Sequence, residues 1–92
     1  MTDSISKTLK IINEKGLHAR ASAKFVDVVE QFDASVIVEK DGLDTGGDSI
    51  MGLLMLAASK GTSINVTATG AQAQDVIDAL TALINDFFGE GQ

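Results

Sequence analysis

The chain contains no cysteine, which excludes both a disulfide framework and a thiolate metal site as supports for so small a fold. Stability must therefore come from packing. Tyrosine and tryptophan are also missing, and four phenylalanines are the whole aromatic content, so the stacking platforms that often hold single-stranded nucleic acid are largely absent. Basic residues are few. Seven Lys and Arg face thirteen Asp and Glu, giving a formal charge of −6, and that balance opposes a polyanionic backbone. Nucleic acid is a poor partner for this chain, which leaves proteins or small molecules. No apolar run approaches the roughly 20 residues that span a bilayer. The opening Met-Thr-Asp-Ser-Ile-Ser has neither the basic start nor the apolar stretch of a secretory signal. The expectation is a cytoplasmic protein without membrane association.

What is present is ordinary globular composition. With 45% hydrophobic and 22% charged residues, the chain is too apolar to remain disordered. Its 92 residues give room for one domain, residues 1–92. Ser6 to Ile12 alternates as a strand does, with Leu9 and Ile11 on one face. Asn13-Glu14-Lys15-Gly16 breaks the pattern. A helix follows from about Ala19, because Phe25, Val28, Val29 and Phe32 recur at helical spacing. Ser35 to Lys40 is a β-branched run ending at Asp41-Gly42, a hairpin signal, with a short return strand over Leu43 to Gly46.

Ser49 to Leu56 is too rich in leucine and methionine for a strand and predicts a second helix, closed by Lys60-Gly61, with Leu53, Leu56 and Ala57 toward the sheet. Ser63 to Thr69 alternates again. From Gln72 onward Val76, Leu80, Leu83, Ile84 and Phe87 form one stripe of a third helix, stopped by Gly89. The residues from about 89, Gly-Glu-Gly-Gln, are expected to be a loose tail. The order βαββαβα predicts an α+β open-faced sandwich: a four-stranded antiparallel sheet covered on one face by three helices.

The single histidine, His18, stands between the Gly16 turn and the first helix. A helix start presents unpaired backbone N–H groups and a partial positive charge, so it binds an anion without any special side chain. Arg20, two residues on, can turn its guanidinium to the same place. An imidazole nitrogen with a lone pair would then sit beside an anion cradle, the arrangement that phosphohistidine chemistry requires. A lone histidine equally well fills a loop-to-helix junction, and the constellation alone does not separate the two. Metal and hydrolytic alternatives are weaker: neither a set of three or four ligands nor an oriented nucleophile triad can be assembled from these residues. No metal and no cofactor are expected.

Gly16-Leu17-His18-Ala19-Arg20-Ala21-Ser22-Ala23-Lys24-Phe25 closely resembles the active-site signature of the histidine-containing phosphocarrier family, HPr, of the bacterial phosphotransferase system. Asp48 to Leu56 is similar to that family's regulatory serine segment. The resemblance implies a carrier, not an enzyme. Its His18 would be phosphorylated on Nδ1 by enzyme I, steadied by Arg20, and would hand the group to an enzyme II A component. It also implies that Ser49 is a target of an HPr kinase/phosphorylase, and that Ile50, Met51 and Leu54, with Ala19 and Ala23, form one docking face shared in turn by both partners.

Three departures qualify this picture. Ala21 stands where the signature usually has proline, which loosens the helix start without removing the anion site. Asp27 and Glu30 stand where sugar-transport members often carry basic residues, as in versions serving nitrogen or stress regulation. Asp48 replaces the usual lysine before the serine and would repel a phosphate there, while Ser49 also suits a plain helix cap. The alternative function is a non-enzymatic interaction module with an HPr-like fold. A shared docking face gives the protein reason to stay monomeric.

Overall fold

In the computed structural model, which describes residues 4–92, strand β1 (Ser4–Lys10) is followed by helix α1 (Ala19–Val29), strands β2 (Ser35–Lys40) and β3 (Leu43–Gly46), helix α2 (Ile50–Met55), strand β4 (Ser63–Thr69) and helix α3 (Ala73–Asn85). The βαββαβα order expected from the sequence is the order observed. The sheet runs β1-β4-β2-β3 with every neighbouring pair antiparallel. Alternation explains its register. Leu9 faces Ile64 across the β1–β4 pair, and Val38 faces Val66 across β2–β4; all four are buried. Their neighbours Thr8, Asn65 and Glu39 turn to the other, exposed side, where Thr8 donates to Asn65 and Asn65 donates to Glu39.

The helices bring Phe25, Val29, Leu53, Val76, Leu80 and Ile84 onto the inward residues of the strands, forming one continuous core. Three local expectations are corrected. β1 ends at Lys10 and not at Ile12, although Ile11 remains fully buried and exchanges backbone hydrogen bonds with Thr62 and Gly61 as the chain leaves the ladder. Helix α2 stops at Met55, well before Lys60-Gly61, because Ala57 takes a left-handed conformation (φ 53°). That turn exposes Ala57, expected toward the sheet, and buries Ala58 in its place.

The third correction lies after α3. Phe87 and Phe88 are both left-handed, at φ 56° and 53°, so the helical stripe does not continue. Phe88, not Phe87, is fully buried. Two left-handed non-glycine residues together cost on the order of 2–4 kcal/mol, and burying a phenylalanine returns about 1.5–3 kcal/mol. The two effects are of similar size, and the reversal is tolerated only because the Phe88 ring reaches the core. Lys24 then donates from Nζ to the Phe88 carbonyl at 2.6 Å, pinning the reversed chain to α1. Phe88→Ala is expected to lower stability by roughly 3–5 kcal/mol, read as a fall in the urea midpoint with little change in m.

Candidate functional site

The site starts from a glycine. Gly16 is left-handed (φ 68°), and a Cβ there would lie 2.6 Å from the Ala58 carbonyl oxygen, so only glycine lets this loop press against the segment after α2. The adjacent Leu17 N–H donates to that same carbonyl at 2.9 Å. With the loop fixed, His18 arrives at the N-cap of α1 in extended conformation (φ −78°, ψ −176°). Its carbonyl accepts the Ser22 N–H, the first bond of the helix, at 2.8 Å.

The imidazole turns back over the helix start. The Arg20 backbone N–H donates to His18 Nδ1 at 3.2 Å, so the ring itself performs the capping that Ser, Thr, Asp or Asn usually performs. The imidazole is only partly covered, its side chain 26% exposed. Arg20 is exposed and lines a cleft together with Lys15, Lys24, Glu14 and Glu90. Expected members His18 and Arg20 are thus brought together through the Arg20 N–H on Nδ1, and the Arg20 side chain lines the adjoining cleft with Lys15 and Lys24.

Three contributors were not legible in the sequence. Lys15 and Lys24 read as ordinary polar positions of a turn and of a helix flank. Glu90, assigned to a loose tail, instead returns to the first helix, its side chain 14% exposed and its Oε2 against His18 Nε2. The reason is Phe88, whose burial reverses the chain just before it. Buried Asn13 orients the carboxylate, donating from Nδ2 to Glu90 Oε1 at 3.1 Å and to the Gly16 carbonyl at 2.8 Å.

On the other side of His18, the ring and Leu17 share a shallow hollow with Lys15, Leu54, Ala57, Ala58 and Ser59. Beyond Leu54, helix α2 exposes Ile50 and leaves Met51 and Met55 about 70% and 69% open. Ala19 is exposed and Ala23 half-buried on α1. Met55 belongs to the same apolar run and was not singled out in the sequence. Ser49 is the N-cap of α2: its Oγ accepts the Gly52 N–H at 3.0 Å, and Asp48 beside it is exposed.

Burial pushes the Glu90 carboxyl upward, yet hydrogen bonds from Asn13 and His18, with the charges of His18 and Lys15, outweigh it and hold the group below the usual carboxylate range. A carboxyl lowered on folding adds stability above its unfolded value and loses it as pH falls through the folded one. Glu90→Gln is therefore expected to be less stable than the parent at pH 7. The gap between their urea midpoints should close as the medium is acidified below the ordinary carboxyl range.

No helix among the described residues is long and apolar enough to cross a membrane, and no cluster of three metal-ligating side chains occurs among them. The family model described as "PTS HPr component phosphorylation site" matches residues 5–86. Phosphocarrier protein HPr of Neisseria meningitidis is 49% identical over 88 residues, covering 96% of this chain and 99% of the relative. Phosphocarrier protein NPr of Escherichia coli is 38% identical, covering 95% and 98%. The crystal structure of HPr-C-His from Thermoanaerobacter tengcongensis superposes with a TM-score of 0.89 at 38% identity, covering 94% of this chain and 97% of that one. With a matching fold, a matching family model and relatives spanning nearly its whole length, the chain belongs to the HPr family of phosphocarrier proteins.

Proposed function

We propose that this carrier works in the cytoplasm, takes its phosphoryl group onto Nδ1 of His18 from phosphorylated enzyme I, and passes it to an enzyme II A component of a sugar-uptake or nitrogen/stress regulatory branch. One observation carries this proposal: His18 caps α1 with Nδ1 directed into the helix start, so the nucleophilic nitrogen and the anion-binding amides occupy one place. In the transfer, the Nδ1 lone pair forms a bond to phosphorus while the donor–phosphorus bond breaks and its electron pair returns to the donor. The Arg20 N–H, which rests on Nδ1 before transfer, is then available to a phosphoryl oxygen. The Arg20 guanidinium supplies charge-assisted hydrogen bonds, and Lys15 and Lys24 add positive potential along the cleft. Passing the group on reverses these steps.

Docking is assigned to the apolar surface of Ile50, Met51 and Leu54 with Ala19 and Ala23, extended by Met55. Leu54 and His18 share a hollow, so a partner seated on α2 also covers the ring. Donor and recipient use the same face and must take turns, which calls for modest interfaces and rapid release. Ser49 is the candidate for phosphorylation by an HPr kinase/phosphorylase. The Gly52 N–H occupies one Oγ lone pair, leaving the other to bond phosphorus as the donor–phosphorus bond breaks and the hydroxyl proton departs, while Asp48 opposes the added charge. An acid-stable phosphate lost in Ser49→Ala would establish that role.

Incubation with phosphoenolpyruvate and enzyme I is expected to add one acid-labile phosphate, detected by mass, that is absent in His18→Ala. Failure of the parent protein to gain it would overturn the carrier proposal. Arg20→Ala should slow transfer roughly 10–100-fold, the value of a hydrogen bond to a charged group. Met51→Glu should raise the half-saturating concentration for enzyme I by about tenfold or more, with an unchanged circular dichroism spectrum.

A further inference from the structure

We propose that Glu90 is a positioning residue that fixes where the imidazole proton of His18 resides, holding it on Nε2 so that Nδ1 keeps its lone pair. A neutral imidazole has one N–H and one lone pair, and which nitrogen has which follows from their partners. Nδ1 faces the Arg20 backbone N–H, a group that only donates, so Nδ1 accepts. Nε2 faces Oε2 of Glu90, an ionised carboxylate that only accepts, so Nε2 donates. Both partners select the same tautomer. This inference rests on the carrier proposal only for the use made of the lone pair.

The carboxylate is itself held. Asn13 donates to its other oxygen and to the Gly16 carbonyl. The backbone two residues earlier is anchored by buried Phe88 and by Lys24 on the Phe88 carbonyl. Asn13, Glu90 and His18 thus form an oriented series ending at the reacting ring, with the carboxylate in the role that orients a catalytic imidazole elsewhere.

Glu90 also matters during the step. As the Nδ1–phosphorus bond forms and the donor's bond breaks with its electron pair returning to the donor, the ring retains its Nε2 proton and gains positive charge. That charge is shared with Nε2–H, where Glu90 stands. No proton has to leave, and the carboxylate stands at Nε2, the ring nitrogen that does not bond to phosphorus.

The test uses the full chain labelled with ¹⁵N-histidine at a pH where the ring is neutral. The parent should show Nε2 protonated and Nδ1 as the lone-pair nitrogen, with an Nε2–H proton slowed in exchange by its carboxylate. Glu90→Ala should lose that slowed proton and gain a detectable Nδ1–H population. At saturating enzyme I its transfer rate should fall about tenfold, while the half-saturating concentration, set by the α2 surface, changes less than twofold. Glu90→Gln, which retains the shape that Asn13 contacts, should also transfer more slowly because it carries no charge. Finding the ring proton on Nδ1 in the parent, or parental transfer rates in both variants, would overturn the inference. An inert His18→Ala alongside fully active Glu90 variants removes the role of Glu90 alone, whereas phosphate uptake by His18→Ala removes the carrier proposal.

Discussion

The close approach of Gly16 to the Ala58 carbonyl decides where α1 begins, and with it the whole arrangement around His18. A Cβ at residue 16 has no room, and Leu17 must donate to that same carbonyl. His18 is consequently the last residue before the helix, its backbone extended and its ring folded back onto the second amide. Shifting the entry by one residue would rotate the imidazole about 100° around the helix axis, away from the Arg20 amide and Glu90. Core packing reinforces the register, because Ala21 and Phe25 are fully buried one and two turns on.

Charge is distributed against the overall composition. The protein carries a net −6, yet three of its seven Lys and Arg, Lys15, Arg20 and Lys24, line a single cleft at this helix start. Glu14 and Glu90 line the same cleft, so three cationic side chains against two carboxylate side chains leave it a small positive excess, opposite in sign to the body as a whole. The apolar run on α2 stands next to that cleft. On the proposed function, a phosphorylated partner would meet electrostatic attraction beside the ring and hydrophobic area next to it. Six helical residues suffice for this, since only Leu53 within α2 is needed for the core.

Much of this was legible in the chain itself. Period-two alternation marks β4, a β-branched run ending at Asp41-Gly42 marks β2, and Phe25 and Val29 mark the inner face of α1, because burial and turn chemistry leave a direct imprint on residue order. His18 and Arg20 were legible because their relation is local. The two helical errors share a cause. Ala57 and Phe87-Phe88 leave the helical path through left-handed conformations that no glycine announces, so extrapolating a helical stripe overran both ends. Glu90 sits between two glycines in a polar stretch and resembles a loose end; its partners Asn13 and His18 lie 77 and 72 residues away. Nothing local encodes such a pairing, which exists only once Phe88 finds the core.

That dependence gives the Phe88 anchor a significance beyond packing. Helix ends and the segments after them open more readily than the sheet they cover, with local free energies well below that of global unfolding. Each such opening withdraws the carboxylate from the ring while leaving the sheet, α1 and the apolar surface of α2 intact. The protein then passes briefly through a form that still presents its docking face but lacks one member of its site. The fraction of time spent in that form depends on how firmly residues 86–90 are held by the core around Phe88, by Lys24 and by Asn13. With Glu90 holding the ring as proposed, the local stability of this one turn would tune the readiness of the site separately from the stability of the fold as a whole.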